Sequence, residues 1–257
     1  MSAYLLEAHA VSKYFGGVQA LQAISLHIQS GEIYGLIGPN GAGKTTFFNC
    51  LTGLYTPDGG HFTLEGHRLA PCAPHEAAAA GIARTFQNIR LFSRMTAREN
   101  VMIGCHVQTR QGLLGAVLRS GAARAEEAEI RARADELLHY VDIAEQADEL
   151  ACNLSYGDQR RLEIARALAT RPRLLCLDEP AAGMNATETA GLRTLIEGIR
   201  ADGTTVLLIE HDVKLVMGLC DRVAVLDYGA LLCEATPAVV QQDPRVIEAY
   251  LGGAPHD

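Results

Sequence analysis

"IYGLIGPNGAGKTTFFNCLTG", residues 33–53, is the stretch that decides the fold. Its first six residues are a nearly continuous apolar run closed by glycine, the pattern of a parallel strand covered on both faces. Its last nine, from Thr45, read as a helix. Between them Gly38, Pro39, Asn40, Gly41, Ala42, Gly43, Lys44, Thr45 and Thr46 fit G-x-x-x-x-G-K-[ST] and the residue after it. Glycines there let a loop fold around phosphate with its backbone N–H groups turned inward, and the positive end of the following helix adds to that field. Lys44 has the reach for β and γ phosphates, and the Thr45 hydroxyl is an oxygen ligand suited to Mg²⁺. An ordinary glycine-rich turn leaves unexplained why a buried strand stops just before it and a helix starts just after.

Further along, "LLCLD" (174–178) and "TVLLIE" (205–210) are two more apolar runs. Between them, in "TETAGLRTLIEGIRADG" (187–203), Leu192, Leu195, Ile196 and Ile199 recur at helical spacing and Gly203 supplies a stop. A strand–helix–strand unit predicts a parallel sheet, hence an α/β chain with a phosphate-loop core. Nearer the N-terminus the pattern alternates. "AISLHI" (23–28) puts Ile24, Leu26 and Ile28 on one face, and "HFTLEG" (61–66) repeats this with Phe62 and Leu64, which predicts half-buried antiparallel strands. Residues 88–170 read as helical, with a Thr96/Glu99 capping box and a stripe of Ile130, Ala134, Leu137 and Val141. The tail returns to β structure over 222–236 with a turn near Tyr228 and Gly229, then gives helix starts at Thr236-Pro237 and Asp243-Pro244. The expected organisation is one domain over 1–257. Segments 1–87 and 171–257 form the core with an antiparallel β part, and 88–170 form an α-helical part.

Bulk properties narrow the setting. Among 257 residues, 22 Lys and Arg face 30 Asp and Glu, a net charge of −8 that opposes an electrostatic grip on nucleic acid. Seven cysteines, at 50, 72, 105, 152, 176, 220 and 233, include no C-x-x-C pair. Their odd number, and a start unlike a signal peptide, point to a reducing cytosol. No apolar run approaches the ~20 residues of a membrane span, so any membrane work goes through another chain.

Three further features carry chemistry. "LLCLDEP" ends a buried strand in two carboxylates, Asp178 and Glu179, at the end of the sheet where a phosphate loop lies. Asp178 suits a Mg²⁺ shell, and Glu179 suits a base that polarises an attacking water. His211 follows "TVLLIE" at the end of another strand and could meet a γ phosphate, although a lone histidine there is more often structural. "NLSYGDQRRLEIARALA" (153–169) opens a helix with Ser155 as N-cap, Asp158 in the capping-box position and Gly157 admitting a close ligand. It is a second helix start built for an anion, far from the phosphate loop.

In order, the loop at 38–46, Gln87 in "ARTFQNI", "LSYGD" (154–158), "LLCLDEP" (174–180), "AAGMN" (181–185) and His211 resemble the ATP-binding subunit of ABC transporters over nearly the whole chain. The resemblance implies an ATPase with ATP and Mg²⁺ as ligands. It adds Gln87 to Thr45 and Asp178 around the metal and to Glu179 and His211 in catalysis. It marks Phe15 in "KYFGG" as the adenine-stacking aromatic, with Tyr14 second. It also accounts for the second helix start: two such subunits pair head to tail, so Ser155, Tyr156, Gly157 and Asp158 would face the partner's ATP. ATP binding then closes the pair and hydrolysis releases it, moving attached permease subunits. The subunit would sit in the cytoplasm, peripheral on the inner face of the membrane.

Two stretches depart from the usual pattern. Tyr156 and Asp158 stand where the family commonly has Gly and Gln, and Asn185 stands where it commonly has Asp. A carboxylate at ~8 Å from a γ phosphate costs about 2 kcal/mol at an effective dielectric of ~20, so Asp158 is expected to turn away as a cap and mildly weaken closure. The signature with "EAYLGG" near the end looks most like the ATPase of branched-chain amino acid importers, which work with permeases and an external solute-binding protein. Alternatives are an exporter ATPase of the lipopolysaccharide type, a non-transport member of the superfamily, and a small-molecule kinase. The second ATPase could be a copy of this chain or a paralogue. An apolar cluster at Leu113, Leu114, Val117 and Leu118 could touch the permeases, but packing within its own lobe is the favoured expectation.

Overall fold

A computed structural model of the chain describes residues 4–69, 73–105 and 121–251, with side chains between 125 and 250 in the last segment. The Leu113–Leu118 cluster lies outside the described residues. Strands β1 (Leu6–Phe15), β2 (Val18–Ile28), β4 (Gly59–Leu64) and β5 (His67–Leu69) make an antiparallel sheet in the order β2-β1-β4-β5. As the alternation predicts, Ile24, Leu26, Ile28, Phe62 and Leu64 are buried.

The second sheet has the order β10-β9-β3-β8-β7-β6, with β3 (Ile33–Ile37), β6 (Ile82–Arg84), β7 (Leu174–Asp178), β8 (Thr205–Ile209), β9 (Arg222–Asp227) and β10 (Ala230–Ala235). Its five strands from β9 to β6 pair in parallel, and β10 returns antiparallel beyond the Tyr228–Gly229 turn. Every residue of β3, β7 and β8 is buried, because the sheet is covered on both faces. One face packs on helix α1 (Lys44–Leu51) and the antiparallel sheet, through Phe47, Phe48 and Leu51. The other packs on most of the remaining helices. These include α3 (Ala97–Cys105), α4 (Gly121–Tyr140), α5 (Tyr156–Leu168), α6 (Ala186–Ala201) and α7 (Val213–Leu219). Helix α2 (Pro74–Ala79) precedes β6, and α8 (Pro237–Val240) and α9 (Pro244–Leu251) close the chain.

Local signals act as read. Thr96 and Glu99 cap α3 reciprocally, at 2.8 and 3.2 Å. Gly203 takes φ 93° just past α6. Strand β6 is an addition: three residues are too few for periodicity to register, yet they extend the parallel sheet and carry Arg84 and Gln87 to its loop end.

Candidate active site

The phosphate loop joins the C-terminal end of β3 to α1. Gly38 has φ 149°, and a Cβ there would stand 2.1 Å from the Leu226 carbonyl oxygen; Gly43 has φ 102°, and its Cβ would stand 2.7 Å from that of Ala20. Only glycine fits either place. Helix α1 starts with no side-chain cap and no acid in its first turn, leaving its first N–H groups as donors for an anion. The Lys44 ammonium is buried and bonds the carbonyls of Gly38 and Pro39 at 2.6 and 2.9 Å. Burial lowers its pKa, and the Glu179 and Asp178 carboxylates oppose that shift. A cleft of about 850 Å³ runs along Gly38–Ala42 and is also lined by His211, Tyr228 and Tyr250.

Phe15 and Tyr14 are both exposed, so neither is a core aromatic. Phe15 pairs with Val18 at the β1–β2 hairpin tip, two residues before the Ala20 that touches the loop, and its ring meets Tyr55 edge-on at 5.3 Å.

Asp178 ends β7 almost fully buried. Burial raises its pKa, and Arg84, whose Nη2 stands 3.2 Å from Asp178 Oδ2, opposes this most. Arg84 also bonds Asn49 of α1 and Thr52 just after it at 2.9 and 2.8 Å, tying the loop's helix to the acidic strand end. Glu179 has φ 48°, a left-handed backbone for a non-glycine residue. Its two oxygens are held from opposite sides. Gln87 Nε2 donates to Oε2 at 2.8 Å, and His211 Nε2 lies 2.7 Å from Oε1. Against an acceptor-only carboxylate, that imidazole nitrogen carries the hydrogen. Three residues far apart in sequence thus converge at one carboxylate.

Glu210, just before His211, accepts from the Ala181 and His211 N–H groups at 2.7 and 3.1 Å, so it fixes the loops on both sides of Glu179. Burial raises its pKa, and those backbone donors and that of Asp212 oppose the shift.

Ser155 and Asp158 lie apart from this cluster, at the partly exposed start of α5, and bond each other. Asp158 N donates to Ser155 Oγ at 3.2 Å, and Ser155 Oγ donates to Asp158 Oδ2 at 2.7 Å. Asp158 therefore folds back on the cap. Tyr156 is exposed and Gly157 buried, with Glu188 beside it. Asn185 caps α6, accepting from the Thr187 and Glu188 N–H groups at 2.9 and 3.0 Å, which an amide does as well as a carboxylate.

The ABC transporter family matches residues 21–182, well over half of the chain. The chain belongs to the ABC transporter family. The Branched-chain amino acid ATP-binding cassette transporter family matches residues 230–256 of the same cassette. The cassette is 48% identical over 255 residues to the high-affinity branched-chain amino acid transport ATP-binding protein LivG of Salmonella typhimurium, covering 99% of this chain and 100% of that one. To the corresponding BraF protein of Pseudomonas aeruginosa it is 46% identical, with the same coverage. The solved ADP conformation of an ATP-binding cassette of an ABC transporter superposes with a TM-score of 0.85 at 30% identity, covering 98% of this chain and 100% of that one.

Sequence reasoning missed Arg84, Arg160, Glu163, Glu210 and Tyr250. Arg84 and Glu210 adjoin motifs and could have been weighed as buried charges at strand ends. Tyr250 gives no signal beyond its place in "EAYLGG", yet it lines the same cleft as the phosphate loop.

Proposed function

We propose that this cassette is the ATP-binding and ATP-hydrolysing subunit of an importer for branched-chain or closely related amino acids. Whole-length similarity to two branched-chain amino acid transport proteins and the match of the tail favour that reading over an exporter. The observation that carries the chemistry is Glu179, held at both oxygens by Gln87 and His211 beside the buried Asp178 and Lys44.

ATP is the substrate. Phe15 stacks on the adenine, Gly38 to Thr46 cradle the phosphates, and Lys44 exchanges loop carbonyls for phosphate oxygens. Thr45, Gln87 and Asp178 offer a hydroxyl, an amide and a carboxylate, a hard oxygen set that fits Mg²⁺. Bound there, Mg²⁺ neutralises phosphate charge. Glu179 takes the proton of the attacking water, with lone pairs left over after its two hydrogen bonds. His211 holds that carboxylate in line without ATP, and with ATP bound its one N–H turns to the γ phosphate.

Ser155, Tyr156, Gly157 and Asp158 serve the neighbour. In a head-to-tail pair they meet the ATP on the other subunit's loop, so binding closes the dimer. Permease subunits carry that movement across the membrane, with an external solute-binding protein delivering the amino acid. The cassette itself stays at the inner face.

Glu179→Gln tests the assignment. It keeps the shape but removes the base, and turns one accepting oxygen into a donor. ATP affinity is expected within about threefold of the native value, ATP-dependent dimers persist, and turnover falls about 100-fold or more. Turnover within tenfold of native contradicts the assignment.

A further inference from the structure

We propose that Arg160 and Glu163 of α5, together with Tyr156, are positioning residues that set Gln87 against Glu179 in response to what meets the Ser155 end of the same helix. The inference rests on the roles proposed above for Gln87 and Glu179.

Arg160 and Glu163 are an ion pair at 3.2 Å whose side chains are only 2% and 1% exposed. A buried pair of this kind is poor stabilisation, since apolar residues of similar volume often serve as well or better. One nitrogen, Arg160 Nε, is buried without a partner. The remaining polar atoms reach one place. Arg160 Nη1 donates to the Phe86 carbonyl at 2.6 Å, and Nη2 donates to the Gln87 carbonyl. Glu163 Oε1 accepts from the Phe86 and Arg90 N–H groups, both at 3.3 Å. The backbone on both sides of Gln87 is therefore held by α5, while its amide reaches Glu179.

The other end of the connection is Tyr156, which directly follows Ser155. Its hydroxyl lies 3.1 Å from Arg160 Nη2, and its ring lies beneath the Arg160 guanidinium at 5.5 Å. Tyr156 and Arg160 are four residues apart and share one helix face. The same ring packs on Gly183, in the loop after Glu179, where an added Cβ would sit 3.3 Å from it. A shift at the tip of α5 thus moves Arg160, and with it the Gln87 backbone. The helix end that reads the partner's ATP sets the geometry of its own subunit's base.

A cycle of variants in the full-length chain tests this. Arg160→Met with Glu163→Leu removes both charges at similar volume. It is expected to lower kcat at least fivefold, leave ATP binding within twofold, and cause no further loss when added to Gln87→Ala. Tyr156→Phe removes one hydroxyl from an exposed residue, so it reports even where the double variant does not fold. It is expected to lower kcat about two- to threefold, again with no further loss in the Gln87→Ala background. Native kcat in Tyr156→Phe, native kcat in a folded double variant, or losses that multiply with that of Gln87→Ala overturn the proposal while leaving the base assignment standing. Native kcat in Gln87→Ala itself overturns the role of Gln87 and this inference with it.

Discussion

Glu179 combines an aimed carboxylate with a backbone at φ 48°, where a side chain normally costs roughly 1–2 kcal/mol. Replacing it by Gly or by Ala removes the same bonds to Gln87 and His211, so the difference between the two variants isolates the backbone. The Gly form is expected to be about 1 kcal/mol more stable than the Ala form by denaturant unfolding, and equal stabilities would mean the conformation is unstrained. Asp158 is the second residue with a clear consequence. It accepts the Ser155 hydroxyl hydrogen at 2.7 Å and carries negative charge to the end of α5 that meets the neighbour's phosphate. Asp158→Gln is expected to tighten ATP-dependent dimerisation several-fold, as sedimentation measures. Of the residues in the candidate site, those inside loops of fixed spacing were legible: Lys44, Asp178, Glu179 and His211 each end a recognisable strand or open a helix. Arg84, Arg160 and Glu163 were not, because the backbone and side chains they hold on other elements leave no local pattern, and an i,i+3 Arg–Glu pair reads as a solvated one.

Short apolar runs made β3, β7 and β8 readable, and the spacing of Leu192, Leu195, Ile196 and Ile199 made α6 readable. Short elements were not: β6 and α2 span three and six residues, below the length at which a period shows. Loops joining these strands are held by buried carboxyls, and Glu210 is the instructive case. Burial raises its pKa, so between its ordinary and raised values the folded chain binds more protons than the unfolded one. The stability it contributes is complete at low pH and is lost as pH rises through the raised value. Glu210→Gln is neutral throughout. The gap in thermal midpoint between wild type and this variant is therefore expected to narrow from pH 5 to pH 8 in a thermal-shift series. Parallel curves would place Glu210 outside that linkage.

At the scale of the whole molecule, one parallel sheet brings four loop ends together at its carboxyl edge: those after β3, β6, β7 and β8. A helical layer carries α5 separately, with Ser155 at its partly exposed tip. The layers follow from patterning alone, since runs buried on both faces require covers on both sides. The division of labour between subunits does not, because it depends on a surface that only a second molecule completes. The most direct measurement mixes two damaged chains, Lys44→Ala, whose loop cannot hold ATP productively, and Ser155→Arg, whose helix tip is blocked. Each alone is expected to hydrolyse ATP at less than a tenth of the native rate. Together they regain turnover, since the mixed pair contains one sound loop facing one sound tip. Native-rate hydrolysis by Ser155→Arg alone, or a mixture no more active than its components, would contradict a nucleotide site shared between two subunits.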